Sequence, residues 1–474
     1  MRNNLSALLV VVAMGFFVIF SLSGMFYCQN LNPCFYSPDS YYYFHEAQNV
    51  VRGDFSRDSF AWVEYCFHWV VSIFYPVSLA QSISAFSVVL GCLSLLLVYF
   101  IVRKIHSSEA GIFAAFLFCT NYLMLFVFRW GYGDIEFLLV FLLLCFLLLF
   151  VHVEGWKFNW LICLVFLVCL TLFWDGFFFL SFIAFVSFLV YFVLSKKISI
   201  AFVFAFAGAI VIFATMQFQK IVARLFVHSY FISELAGMGL LDFAQSVGIL
   251  LVFSFIGVYY LRGRFKELNV CFLLVYFVLG IVLCFLISRM LYFLMVGLII
   301  LAGISLAELS SFIVRKTRLD SGKWLLYVIL LAVIAVFFVP NAILVSGILP
   351  IYGGGDYASA DAIYDYAIPG TVISWWDEGN FYYALSGQPV ALRAFPRKDG
   401  MDTYMAAMSG SDDFAVVDFK RLCNCSSFYV VVSGRVRGYL VNLSNESFFY
   451  HLVNGEEVGC FAEIVPGVWH YYCG

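Results

Sequence analysis

The chain has 474 residues, of which 64% are hydrophobic and 12% charged, with a mean hydropathy of +0.98 and 57 phenylalanines. A soluble domain carries roughly 25% charged residues, so a soluble enzyme, a disordered chain and a typical nucleic-acid binder are excluded. The net charge of −3 names no partner.

A spanning helix needs about 20 mostly apolar residues. Candidate spans run near 6–26, 77–102, 110–128, 135–153, 161–174, 177–194, 200–218, 243–261, 270–287, 291–306 and 325–345. The first reads as an anchor rather than a cleaved signal peptide, because it is long and no convincing small-residue site follows it. Residues 1–345 thus read as a multi-span membrane domain with two long loops, 27–76 and 219–242. Residues 346–474 read as a soluble domain, with 14 acidic against 7 basic residues.

Arg103, Lys104, Lys157, Lys196, Lys197, Arg262, Arg264, Lys266, Arg315, Lys316, Arg318 and Lys323 fall in alternate loops. The positive-inside rule places these loops and the N-terminus in the cytoplasm. An odd number of spans then puts the soluble domain and both long loops on the extracytoplasmic side of the cell membrane. Cys28, Cys34, Cys66, Cys423, Cys425, Cys460 and Cys473 share that oxidising side, where disulfides are expected with pairing left open.

The polar residues gather in five places. The first long loop contains SPDSYYYFHEAQNVVRGD, with Asp39 at the start of an amphipathic pattern; as an N-cap it would be ordinary. WGYGDIEF places Asp134 and Glu136 two apart at the mouth of a span, where acids also complement a helix dipole. Glu234 is the one acid in SYFISELAGMG, within the second long loop. Arg289 sits at the border of two spans, where it either snorkels or meets a lipid phosphate. Carboxylates on one membrane face suit a hard divalent cation such as Mg²⁺ or Mn²⁺. Last comes SWWDEG, with Trp375, Trp376 and Asp377 early in the soluble domain.

In this order the five elements resemble the catalytic subunits of oligosaccharyltransferases, over nearly the whole chain. That resemblance implies a GT-C-like polytopic α-helical membrane protein of about 11 spans with a C-terminal mixed α/β domain. It implies transfer of a glycan from a polyprenyl (dolichyl) phosphate or pyrophosphate to the Asn amide of Asn-x-Ser/Thr. By the same resemblance Asp39 and Glu234 activate the acceptor amide, and Asp39, Asp134, Glu136 and Glu234 hold Mg²⁺ or Mn²⁺. Arg289 then binds the lipid phosphate, and Trp375, Trp376 and Asp377 bind the sequon hydroxyl. The expected partners are the lipid-linked donor, an acceptor polypeptide and the bilayer, with no nucleic acid, and the short soluble domain points to a single-subunit enzyme. Glu378 departs from the usual Trp-Trp-Asp-Tyr-Gly, which puts local packing in question.

Two rivals stand beside this reading: another lipid-phosphate-sugar glycosyltransferase of the same architecture, and a non-catalytic accessory subunit. A transporter is disfavoured, because the spans are nearly free of charge. In the soluble domain VISWW, FAVVDF, FYVVVS and GVWHYY read as strands and DYASADAIYDYA as a helix. Asn424, Asn442 and Asn445 begin Asn-x-Ser sequons.

Overall fold

The computed structural model describes residues 2–28, 33–54, 58–152, 159–173, 178–195, 238–317, 329–330, 332–333, 336, 339–346, 348, 350, 352, 354–366, 368–375, 378–392, 398–433, 447–454 and 458–472. They form two compact units. One comprises Met1–Ser23, Ser87–Arg129 and Ile135–Ile348; the other comprises Gly24–Phe86, Trp130–Asp134 and Leu349–Gly474.

The first unit is helical. Its described helices are α1 (Arg2–Ser21), the greater part of α4 (Leu79–Ile105), α5 (Ser108–Thr120), α6 (Tyr122–Val127), α7 (Glu136–Val151), α8 (Asn159–Phe173) and α9 (Phe178–Ser195). They continue with α10 (Leu240–Val247), α11 (Ile249–Leu261), α12 (Leu268–Leu286), α13 (Leu291–Thr317) and α14 (Val339–Ser346). Among the described residues, Leu79–Ile105, Leu268–Leu286 and Ser288–Lys316 are long and apolar enough to cross a membrane, and α10 and α11 make a pair bent by 77°. Shorter apolar helices cover Ser6–Ser21, Ser108–Thr120, Glu136–Val151 and Phe179–Tyr191. The expected span 200–218 lies outside the described residues.

Helix α13 is the axis of this unit. Leu294, Met295, Val296 and the run from Leu298 to Ala302 have no exposed surface, so it is enclosed on all sides, as an all-round apolar helix must be. Helix α11 approaches it through Gly257, where an added Cβ would stand 2.2 Å from the Leu301 carbonyl oxygen. Small residues at such contacts let helix backbones meet closely. Arg129, fully buried, donates from Nη1 to the Val345 carbonyl at 3.0 Å and ties α14 into the bundle.

The second unit builds its core from distant segments. Helix α2 (Pro38–Arg52) and helix α3 (Ser59–Phe74) come from the first long loop. Later come α15 (Gly354–Tyr366), β1 (Thr371–Ile373), α16 (Gly379–Ser386), α17 (Lys398–Ser409), α18 (Asp412–Cys423), β2 (Phe428–Val431), α19 (Phe448–Val453), β3 (Phe461–Val465) and β4 (Val468–Tyr471). Tyr41, Phe44 and Ala47, on one face of α2, join Tyr357, Ile363, Val372, Phe381, Tyr429 and Val468 in one core. The sheet order is β1-β2-β4-β3, with β1 parallel to β2 and the other pairs antiparallel. A parallel neighbour demands a crossover, and α16 to α18 supply it.

The segment FAVVDF is helical, not the strand its β-branched residues predict. It lies inside α18, whose last turn carries Lys420 and Arg421, which complement the helix dipole. Ala415 and Phe419, four apart, are its buried pair. Disulfides join Cys28 to Cys34 and Cys423 to Cys425, and Cys460 is also disulfide-bonded. Cys66 and the cysteines of the apolar helices are free thiols.

Candidate functional site

Asp39 stands in the first turn of α2, and Ser37, extended at φ −123° and ψ 141°, is the N-cap. Pro38 at the first helical position presets the helical φ. Asp39 is therefore not the cap its sequence position offers. Ser37 makes no capping bond of its own. Its Oγ donates instead to Asp134 Oδ2 at 2.6 Å, across 97 residues of chain. Two further bonds fasten the same two segments: Tyr36 N–H to the Gly131 carbonyl at 3.0 Å, and Gly133 N–H to Ser40 Oγ at 3.0 Å. Asp39 thus lies between two serines that both bond the segment carrying Asp134. Asp134 itself is only 4% exposed.

The tyrosine two residues on fixes this helix end. Tyr41 Oη is bonded to Tyr357 Oη at 2.7 Å and accepts from Phe35 N–H at 3.3 Å, and Tyr357 Oη donates to the Pro33 carbonyl. Burial raises both phenols, Tyr357 to about 12 and Tyr41 well above its usual value. They stay protonated and act as fixed hydrogen-bonding groups.

Glu136 opens α7 in the other unit, where its carboxylate is ion-paired with the Arg289 guanidinium. Arg289 sits in a single 3₁₀ turn, Ser288–Met290, before α13. The pair is largely buried, a placement that is costly to break from one side. A small apolar cavity of about 20 Å³ opens beside Met290, lined also by Leu180, Ile183, Tyr276, Gly280 and Leu294.

Glu234, Trp376 and Asp377 lie outside the described residues. The residues that flank the last two are described. The Trp375 carbonyl accepts from Glu378 N–H at 2.9 Å and Gly379 N–H at 3.1 Å, and the Trp375 ring meets Tyr404 edge-on at 5.9 Å. Glu378, the departure from the usual signature, is fully buried and accepts from Ser433 Oγ at 2.5 Å. Gly379 admits no side chain, because its Cβ would lie 2.0 Å from the Leu392 carbonyl oxygen. Gly379→Ala is expected to cost about 1–3 kcal/mol of stability, as overpacking does, read as a lower melting temperature.

Among the described residues no group of three or more His, Cys, Asp or Glu side chains is close enough to hold a metal ion. The donors that suit a hard cation are Asp39 and Asp134, carboxylates on two segments held together by three hydrogen bonds. Sequence reasoning missed Ser37, Ser40, Tyr41 and Tyr357. The Ser-Pro-Asp-Ser run signals a helix start, but nothing in it points to residues 131–134.

No protein-family model matches the chain, and no curated protein resembles it significantly in sequence. Solved structures do match. The archaeal oligosaccharyltransferase AglB from Archaeoglobus fulgidus, in complex with an inhibitory peptide and a dolichol-phosphate, superposes with a TM-score of 0.72 at 13% identity, covering 91% of this chain and 70% of that one. The Archaeoglobus fulgidus enzyme tethered to an acceptor peptide with the NVT sequon gives 0.72 at 14% identity, over 90% and 69%. ArnT from Cupriavidus metallidurans, bound to undecaprenyl phosphate, gives 0.60 at 12% identity, over 100% and 99%. The fold is that of the GT-C glycosyltransferases.

Proposed function

We propose that the chain is an oligosaccharyltransferase of the cell membrane that moves a glycan from a polyprenyl phosphate or pyrophosphate to the Asn amide of Asn-x-Ser/Thr. The Ser37–Asp134 bond is the observation that carries this reading. It joins the two acid-bearing segments that the resemblance singles out, in a fold shared with proteins solved with a dolichol-phosphate and with a sequon peptide.

An amide nitrogen is a poor nucleophile because its lone pair is delocalised, as the ~18–20 kcal/mol peptide rotation barrier shows. In this reading Asp39 and Glu234 accept hydrogen bonds from the acceptor amide protons and turn the lone pair toward the sugar. Asp39, Asp134, Glu136 and Glu234 are the residues that would hold Mg²⁺ or Mn²⁺, which when bound supplies Lewis-acid neutralisation of the leaving phosphate. Arg289 holds the lipid phosphate, exchanging Glu136 for it, and the apolar cavity beside Met290 takes the adjoining isoprene carbons. Trp375, Trp376 and Asp377 read the sequon hydroxyl, since a site built for a hydroxyl penalises peptides that lack one. The catalytic face and the 346–474 domain lie outside the cell, and one subunit suffices.

The ArnT match over 99% of its length supports a second reading, sugar transfer from a polyprenyl phosphate to another acceptor. One experiment separates the two. Solubilised protein is incubated with lipid extract of its source, Mn²⁺ and a fluorescent Asn-Ala-Thr peptide. A glycan-sized mass gain is expected, lost with EDTA and with Asn→Gln in the peptide. Sugar appearing on lipid or on Ser/Thr instead selects the second reading.

A further inference from the structure

Strands β1 and β2 pair in parallel, with Thr371 opposite Phe428, Val372 opposite Tyr429 and Ile373 opposite Val430. In a parallel pair both chains leave the sheet at the same end. The chain leaving β1 reaches Trp375 two residues on and Glu378 five residues on, and the chain leaving β2 reaches Ser433 two residues on. The two meet there: Ser433 Oγ donates to Glu378 Oε1 at 2.5 Å, across 55 residues of chain. That is the length of a short bond accepted by a carboxylate.

Residue 378 is held at three points. Its N–H donates to the Trp375 carbonyl at 2.9 Å, its carbonyl accepts from Tyr382 N–H at 3.1 Å, and its side chain accepts from Ser433. Two of these bonds stay within residues 375–382; the third reaches a different strand. The Ser433 side is itself anchored, because Val432 N–H donates to the Gly467 carbonyl at 2.8 Å and Ser433 is buried. A buried carboxylate demands a donor, where the usual Tyr would present a phenol, and Ser433 is that donor. Asp377 is joined directly to this fixed residue.

We propose that Glu378 is a positioning residue for sequon reading: through Ser433 it ties the Asp377 end of Trp375-Trp376-Asp377 to the sheet, and so sets how strongly a hydroxyl is preferred two residues beyond the acceptor Asn. Glu378 touches no substrate and acts through its neighbour. Preference for a hydroxyl depends on polar groups held where that hydroxyl must come, and a displacement of about 1 Å is enough to weaken such an arrangement. The inference rests on the proposed role of Trp375, Trp376 and Asp377.

A competition between peptides tests it. The full chain, solubilised and supplied with lipid extract of its source and Mn²⁺, is offered two fluorescent peptides of different mass in one tube, Asn-Ala-Thr and Asn-Ala-Ala. The product ratio reports relative kcat/KM, so it does not change with the amount of folded protein or of donor. The wild type is expected to favour Asn-Ala-Thr by about 10²-fold or more. Ser433→Ala is expected to shrink that preference about tenfold, as loss of one hydrogen bond to a charged group does. Should the stranded carboxylate keep this variant from folding, Ser433→Ala with Glu378→Met removes both partners and leaves neither unpaired. The same loss of preference is expected there. The wild-type preference in whichever of these variants transfers overturns the proposal. A wild type that transfers equally to both peptides overturns the hydroxyl-reading role itself, and the inference with it, so the two failures are told apart.

Discussion

Asp39→Asn and Asp134→Asn are each expected to lower glycan transfer by about 10²–10⁴-fold, the range of a lost acid–base group, with an unchanged melting temperature. The separation of the two effects follows from the geometry. Asn at 134 keeps an acceptor oxygen for the Ser37 hydroxyl, so the bond between the segments persists. Asn at 39 stays in the first turn of α2, where Ser37 is the cap. Neither change opens a cavity; each replaces a charged carboxylate oxygen by a neutral amide nitrogen of nearly the same size. Peptide transfer measured by mass, beside a thermal melt of the same sample, checks both halves. Wild-type transfer in both variants would remove these carboxylates from the chemistry.

The Arg289–Glu136 pair gives the second large effect. Arg289→Ala strands a buried carboxylate, and removing one partner of such a pair costs about 3–5 kcal/mol. Low yield and a sharply lower melting temperature are expected. Loss of transfer in that variant would not show what Arg289 does. Arg289→Gln combined with Glu136→Gln removes both charges and is expected to regain most of the melting temperature while transfer stays lost. A double variant that transfers normally would make the pair a structural element alone.

Glu64 offers a pH test away from these residues. Burial, and then the nearby Asp58 charge, hold its carboxyl well above the usual range. Folding thus favours its proton, and stability declines as pH rises from the unfolded value near 4.5 toward the folded one. Glu64→Gln is expected to melt with the wild type near pH 4.5 and progressively above it as the pH rises to 8. A constant difference across that range would mean that Glu64 titrates normally.

Composition made the membrane class legible, because 12% charged residues cannot solvate a soluble surface of this size. The candidate residues, from Asp39 through Trp375, were legible only as residue types in a given order. Their partners were not. Ser37 meets Asp134 across 97 positions and Arg289 meets Glu136 across 153, and pairing at that range leaves no local period. FAVVDF misled because β-branched residues, common in strands, also occur in helices, and here Ala415 and Phe419, four apart, are the buried pair of a helix ending in Lys420 and Arg421.

The second unit is assembled from Gly24–Phe86, Trp130–Asp134 and Leu349–Gly474. During synthesis, the 262 residues between Phe86 and Leu349 must be translated before its last part begins to appear. At 5–20 residues per second that is a wait of roughly 13–50 s. Throughout it Tyr41, Phe44 and Ala47 lack Tyr357, Phe381 and Tyr429, with which they form a core. A ribosome that stalls in the membrane helices leaves this aromatic surface uncovered. The loop bearing Asp39 therefore acquires its final shape only at the end of translation, and a chain cut short before Leu349 carries its acids without the core that orders them.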